Sequence, residues 1–125
     1  MKKEYISKEE RKKCAVVKAI FDQALADDSE IFIADAENYG YVILAWYDEE
    51  RGFDSIETYT EAEDLFQDLL ERWETLKLYE YAETGGYADD SHEEMVSRLT
   101  AEQKEVIRSG KETLRKEYEK KIENL

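Results

Sequence analysis

The first apolar pattern along the chain has the spacing of an amphipathic helix. Cys14, Val17 and Phe21 recur at intervals of three and four residues. Ser7 and Glu10, just before them, fit the S-x-x-E capping box that begins many helices. The pattern predicts a helix over residues 8–26 with one buried face. Cys14 lies on that face, so we interpret it as a small buried hydrophobic residue and not as a reactive thiol.

Three short runs with the composition of β-strands follow, at residues 30–35, 41–47 and 53–59. The segments between them are about five residues long and end in Gly40 and Gly52, which suits hairpin turns. We therefore expect a three-stranded antiparallel meander.

The middle strand is apolar on both faces, and its alternation separates two sets of side chains. We assign Val42, Leu44 and Trp46 to the core. The other set then forms a tyrosine-bearing outer face: Tyr41, Ile43, Ala45 and Tyr47, joined by Ser55 and Glu57 of the third strand.

The next apolar pattern predicts a second helix after a Thr60-x-x-Glu63 capping box. Residues 76–81 are compatible with an extension of this helix or with a short extra strand. Residues 83–90, which contain Gly85 and Gly86, are predicted to be a loop. Ser91 and Thr100 then begin a short helix and a long C-terminal helix.

The C-terminal helix has a narrow apolar seam, formed by Ile107, Leu114, Tyr118 and Leu125. We expect this seam to pack on its own domain, so that the chain is a monomer, with homodimerisation as the alternative. Gly110 interrupts the helix and indicates a bend or a close approach.

Together these elements predict one α+β domain over residues 1–125: a helix, a three-stranded antiparallel sheet, a second helix on the same face, then a short helix and a long C-terminal helix. The α+β body covers about residues 8–82, and the C-terminal helical segment about residues 91–125.

The 125-residue chain has a formal net charge of −14, which is unevenly distributed. Residues 22–94 carry 23 acidic and three basic side chains, a net of −20, whereas residues 1–21 and 95–125 have nets of +4 and +2. Such a segment repels phosphate backbones, so we expect no direct nucleic-acid binding. One explanation is solubility, with attraction between the basic ends and the acidic middle. The alternative is a carboxylate surface that imitates nucleic acid before a basic partner.

Residues with catalytic or metal-binding potential are few. A single cysteine excludes an internal disulfide and a multi-cysteine zinc site, and His92, the only histidine, stands at the start of a short predicted helix, where histidines are usually solvated. We predict no catalytic residues, no metal and no cofactor. The alternative is a small-ligand-binding or enzyme domain that uses the tyrosine-bearing sheet face.

The expected location is cytoplasmic, with no membrane partner. No apolar run approaches the roughly 18 residues that a membrane span needs. Residues 1–5 are charged and have no apolar stretch behind them, unlike a signal peptide.

A small, strongly acidic chain with this order of helices and strands resembles a group of phage-encoded anti-CRISPR proteins that inhibit Cas9. The resemblance covers roughly residues 8–80, and the long, net-positive C-terminal helix departs from it. In that group an acidic surface of the strand loops and the following helix occupies the site that reads the PAM duplex. The resemblance implies a DNA-mimic protein of a mobile element, with Cas9 or another basic nucleic-acid-binding effector as partner. The residues implied are Asp35, Glu37, Asp48, Glu49, Glu50, Asp54, Glu57, Glu61 and Asp64.

Two tyrosines are expected at the centre of that surface. Tyr41 and Tyr47 belong to the predicted outer face of the middle strand, between the acidic loops. Aromatic residues carry much of the binding energy of protein interfaces, so we expect both to contact the partner.

Overall fold

The computed structural model describes residues 5–125, which form four α-helices and three strands. The elements are α1 (Lys8–Ala24), β1 (Ile31–Asp35), a 3-10 turn (Glu37–Tyr39), β2 (Tyr41–Asp48), β3 (Gly52–Tyr59), α2 (Ala62–Gly85), α3 (His92–Ser97) and α4 (Ala101–Glu123). The predicted α+β order is confirmed. Residues 1–4, on which most of the argument against a signal peptide rests, lie outside the described part. Within it, no helix combines the length and apolar character needed to span a bilayer.

Most helices begin where the sequence predicts them. Ser7 and Ser91 cap α1 and α3 by accepting hydrogen bonds from backbone N–H groups three residues on. Thr100 and Gln103 form the complete reciprocal capping box at the start of α4. These side chains satisfy N–H groups that have no partner inside the helix.

Helix α2 is capped differently from the prediction. Its N-cap is Glu61, which makes no side-chain cap, so the predicted Thr60–Glu63 box is wrong. The Ala62 N–H instead donates to Glu10 Oε1 of α1, at 2.9 Å. The cap therefore comes from a residue 52 positions away, which a local sequence pattern does not reveal.

The far end of α2 resolves the alternatives for residues 76–81, which are helical. The helix continues to Gly85, so the prediction of a loop is wrong for residues 83–85. Gly86 then ends it with a left-handed φ of 79°, the conformation that glycine adopts most readily at a helix C-terminus.

Phe66 of α2 lies at the centre of the core. Its ring meets Phe21 of α1 edge-on, with 5.4 Å between centroids, and stacks on Tyr118 of α4 at 5.0 Å. The Arg115 guanidinium lies 4.2 Å from the same centroid and pairs with Glu63 at 2.7 Å. Aromatic pairs of this geometry each contribute about 0.5–1.5 kcal/mol beyond area burial. Phe66 thus joins three helices.

The C-terminal helix packs on its own domain, as expected. Ile107, Leu114 and Tyr118 are buried in the core that α1 and α2 share, whereas Leu125 is exposed and lies outside the seam. Gly110 marks a close approach, because a Cβ at this position would overlap the Trp73 indole of α2.

The sheet has the order β1-β2-β3, with antiparallel pairing throughout. Ile33, Tyr41 and Ile43 are buried in the helix-covered core, whereas Trp46 is exposed and Val42 and Leu44 are only half-buried. The assignment of Val42, Leu44 and Trp46 to the core is therefore wrong. Alternation separates the two sets of a strand that is apolar on both faces, but it does not indicate which set the helices cover.

A β-bulge in β3 also breaks the predicted alternation. The register shifts between the pairs Ile43–Glu57 and Leu44–Ser55, leaving Ile56 as the extra residue. Ser55 and Glu57 consequently oppose residues on different faces of β2, so the predicted outer group that contained both is not formed.

We expect Gly110→Ala to destabilise the protein by about 1 kcal/mol, even though alanine is the better helix former. The added methyl group has to displace the buried Trp73 indole, and such overpacking outweighs the gain in helix propensity. Urea unfolding followed by circular dichroism measures the change. Ser109→Ala, at the exposed neighbouring position, is the control. Equal stabilisation by both substitutions contradicts the close approach.

Removal of the cap that α1 provides should also lower stability. We expect Glu10→Ala to cost about 1 kcal/mol, the typical value for loss of an N-cap, because the Ala62 N–H loses its acceptor. Glu10→Gln keeps an acceptor and should retain most of the stability. Glu9→Ala, one residue away and exposed, is the matched control in thermal unfolding. Indistinguishable effects of Glu9→Ala and Glu10→Ala are evidence against this capping role.

Candidate interaction surface

The predicted partner-binding carboxylates lie at opposite ends of the sheet. One group surrounds the β1–β2 turn and the start of α2: Asp35, Glu37, Glu61 and Asp64. The other surrounds the β2–β3 hairpin: Asp48, Glu49, Glu50 and Asp54. Strand β2 has eight residues and spans about 23 Å between them, at about 3.3 Å per residue. The structure therefore does not bring these carboxylates into one cluster.

Asp35 and Tyr41 make contacts inside the protein and are not available to a partner. Asp35 Oδ1 accepts the Glu37 N–H at 2.8 Å, and its carboxylate pairs with Arg11 at 3.3 Å. Burial by itself raises the pKa of Asp35, but the Glu37 N–H and the Arg11 guanidinium lower it below its usual range. Burial, followed by the neighbouring Asp35 charge, raises the pKa of Tyr41 to about 12.

Tyr41 is 3% exposed, so its predicted contact with a partner is wrong. It faces the helix-covered core together with Ile43. The tyrosine-bearing face proposed for a small ligand or an enzyme substrate is consequently not an exposed face of the sheet.

One carboxylate of the hairpin between β2 and β3 accepts hydrogen bonds from the turn itself. Asp48 Oδ1 accepts the N–H groups of Glu50 and Arg51, at 2.9 and 2.7 Å, and so closes the turn. The Arg51 guanidinium lies 4.5 Å from the centroid of the exposed Tyr47 ring and 3.8 Å from the Asp54 carboxylate. Asp48 therefore shapes the hairpin, while Tyr47 and Asp54 lie on its surface.

Seven predicted carboxylates are exposed and make no ion pair with another described residue: Glu37, Asp48, Glu49, Glu50, Glu57, Glu61 and Asp64. Other acids of the middle segment pair with the basic ends of the chain. Lys111 of α4, for example, binds Glu74 of α2 at 3.0 Å. The expected attraction between basic ends and acidic middle is thus present, but it leaves many strand carboxylates free.

Three aromatic side chains form an exposed cluster on the sheet. The sequence pattern predicts one of them, Trp46, in the core and gives no role to the other two. Phe32, Trp46 and Phe53, one from each strand, are 55%, 41% and 46% exposed. The Phe53 centroid lies 6.4 Å from that of Phe32 and 5.5 Å from that of Trp46. We call these three residues the aromatic patch. Alternation puts Phe32 on the face opposite to Ile33, but only the structure shows that Ile33 is the buried one.

Acidic residues are frequent in the strand segment that carries the aromatic patch. Residues 30–59 contain eight acidic side chains and only one basic one, Arg51. The Glu30 carbonyl accepts the Trp46 N–H at 2.8 Å, which places Glu30 opposite Trp46, and the hairpin carboxylates follow at the same end of the sheet. We call Glu30, Glu49 and Glu50 the acidic rim.

Other reactive groups lie apart from this surface. Burial, with a smaller contribution from Glu10, raises the pKa of the Cys14 thiol to about 12, which keeps it protonated and unreactive. His92 is exposed on α3. Among residues 5–125, no group of three or more His, Cys, Asp or Glu side chains is arranged to hold a metal ion.

No protein-family model, curated protein sequence or solved structure matches this chain.

Proposed function

We propose that this chain is an interaction protein whose aromatic patch and acidic rim bind a positively charged, nucleic-acid-handling protein. One observation carries the proposal: three contacting aromatic side chains are exposed in a strand segment with eight acidic residues and one basic residue. Exposed apolar patches with polar rims mark interaction sites on soluble proteins. The partner's own DNA or RNA is then excluded by the carboxylates that replace its phosphates. Cas9 is the partner that the resemblance implies.

The two parts of the surface have different tasks in this proposal. Trp and Phe side chains supply apolar contact at the centre, where a few residues provide most of the binding energy. The carboxylates of the rim attract a basic surface over a distance and reject acidic ones, so they act mainly on the association rate and on specificity.

A second copy of the same chain is a poor occupant of this surface. Two-fold pairing through the aromatic patch would bring two acidic rims together, with Arg51 as the only basic side chain in residues 30–59 of either copy. Like charges facing each other across an interface are strongly unfavourable. The charge therefore favours a basic partner over self-association.

We expect the double substitution Trp46→Ser and Phe53→Ser to weaken partner binding by about 30-fold or more, because a single hot-spot residue contributes about 2 kcal/mol or more. The fold should be retained, since both residues are exposed and lie outside the helix-covered core. Tyr79→Ser is the matched control, as Tyr79 is exposed on α2 outside the patch. Affinity is measured by surface plasmon resonance. Equal binding by the double variant and the control excludes the patch as the contact.

Charge reversal tests the rim separately. We expect Glu30→Lys, Glu49→Lys and Glu50→Lys together to slow association strongly, and we leave Asp48 unchanged because it closes the turn. The control reverses Glu83, Glu119 and Glu123, which are exposed on α2 and α4, and so has the same net charge. Wild-type association should slow with added salt, since the Debye length falls from about 10 Å at 0.1 M to about 3 Å at 1 M.

Competition distinguishes mimicry from simple attachment. The first assay measures whether this protein and a PAM-containing duplex compete for Cas9 loaded with guide RNA. The second assay repeats the measurement on any basic protein that binds the wild-type chain but does not bind the Trp46→Ser/Phe53→Ser variant. Mutual exclusion of this protein and nucleic acid supports the proposal. Simultaneous binding of both, or equal effects of the two triple reversals, contradicts it.

A further inference from the structure

Strand β1 lies at one edge of the sheet, and its outer side is open. Its pairing with β2 is continuous over Ile31–Asp35, whereas the bulge at Ile56 interrupts the ladder of β3, the other edge strand. A bulge in an edge strand discourages the addition of another strand. Of the two edges, β1 therefore offers the regular ladder to a further strand.

Backbone groups of β1 alternate between β2 and the open side. The Glu30 carbonyl accepts the Trp46 N–H at 2.8 Å, so Glu30 faces β2. Just past the other end of β1, the Ala36 N–H donates to the Gly40 carbonyl at 2.9 Å. Ile33 lies three positions from both Glu30 and Ala36, so it turns its N–H and C=O to the open side. Among residues 5–125, no hydrogen bond reaches the Ile33 backbone from that side.

A groove of about 270 Å³ lies along this edge, between β1 and α1. Its walls are largely apolar, with Phe21 and Leu25 from α1 and its C-terminal cap, and Ile31 and Ile33 from β1. Residues that pair across two strands point to the same face, and Ile33 points to the helices. A strand added to β1 thus directs every second side chain into the groove. The edge and the groove together fit an extended chain.

The charged residues of the groove favour a basic occupant. Lys18 lines it, but the Lys18 ammonium binds Asp22 at 2.6 Å, so this pair is neutral. Asp28, close to the start of β1, also lines the groove, and its Oδ1 accepts the Glu30 N–H at 3.0 Å. Within the described part of the chain Asp28 makes no ion pair. The lining therefore has one uncompensated negative charge and no uncompensated positive charge.

We propose that the free edge of β1 binds an extended segment of another protein as a fourth, antiparallel strand. Apolar side chains of the segment enter the groove beside Phe21 and Leu25, and a lysine or arginine at its C-terminal end pairs with Asp28. In such strand addition, backbone hydrogen bonds give affinity and the pockets for alternate side chains give specificity. The inference does not rest on the proposed function, because its site is the sheet edge, although Phe32 borders both the groove and the aromatic patch.

A second copy of this chain is a poorer occupant of the edge. Residues 27–50, which include β1 and β2, contain eight acidic side chains and neither lysine nor arginine. Pairing of two β1 strands across a two-fold axis at Ile33 brings two such segments together. Like charges that face each other across an interface are strongly unfavourable.

Titration of the ¹⁵N-labelled full chain with a short peptide of alternating threonine and valine and two C-terminal lysines, acetyl-TVTVTVKK-amide, tests the proposal. We expect saturable amide shifts at residues 31–35 and slower hydrogen exchange of the Ile33 amide, which gains a partner in the complex. An antiparallel peptide places its lysines beside Asp28. Acetyl-TVTVTVEE-amide should therefore bind about tenfold more weakly, and equal affinity of the two peptides overturns the proposal.

Methylation of one peptide nitrogen separates strand addition from simple apolar contact. A valine that pairs with Ile33 points its side chain into the groove and its N–H to β1. N-methylation of the central valine should weaken binding about tenfold or more, because a β1 carbonyl loses its donor. N-methylation of the adjacent threonine, whose N–H points to solvent, is the matched control. Equal affinities of the two methylated peptides contradict strand addition.

A substitution in the protein tests the charge of the groove. Asp28→Asn keeps an acceptor for the Glu30 N–H and should weaken binding of the lysine peptide about threefold, as expected for an exposed ion pair. Asp89→Asn, at an exposed position between α2 and α3, changes the net charge equally and is the control. Indistinguishable binding by these two variants rejects the pairing with Asp28.

Two further measurements locate the site. The Trp46→Ser/Phe53→Ser variant should bind the lysine peptide as the wild type does, even if the aromatic patch has no partner. Loss of peptide binding by this variant moves the contact to the patch and overturns the proposal. A dimer in analytical ultracentrifugation, with Ile33 protected from hydrogen exchange before any peptide is added, assigns the edge to a second copy and also overturns it.

Discussion

The packing of three helices around Phe66 is the interaction on which the rest of the structure depends. Phe21, Phe66 and Tyr118 come from distant parts of the chain, and their rings bring α1, α2 and α4 together in one core. A sheet of three strands is stable only when a hydrophobic face or a helix layer supports it. The helices assembled around Phe66 provide that layer, so the position of every strand residue depends on them.

This arrangement covers one face of the sheet and leaves the other to solvent. The aromatic patch is therefore carried on a backbone held by two ladders of hydrogen bonds and by the helices behind it, which fixes its geometry better than a loop would. The balance of charge also differs between the helices and the strand segment. Cations of α4 neutralise Glu63 and Glu74 on α2, whereas residues 30–59 contain eight acidic side chains and only one basic one, Arg51 of the hairpin turn. Residues 30–59 therefore keep an excess of negative charge.

Local signals in the sequence predicted the helices and strands. Contacts between distant residues determine which faces of these elements are buried and which of their side chains stay free. Capping residues such as Thr100 and hairpin glycines such as Gly52 act within a few positions, so the order and most bounds of the elements were predictable. The covered face of β2 depends on helices that pack from elsewhere, and alternation alone assigned it wrongly. Asp35 and Asp48 likewise look like free carboxylates until Arg11 and the turn N–H groups are in place.

The cap that Glu10 provides for α2 has a consequence for the order of folding. The acceptor and the Ala62 N–H are 52 residues apart, and all three strands lie between them. Joining such distant groups costs loop-closure entropy that only the structure of the intervening chain offsets. The first turn of α2 therefore becomes fixed late, after the meander has brought α1 and α2 side by side.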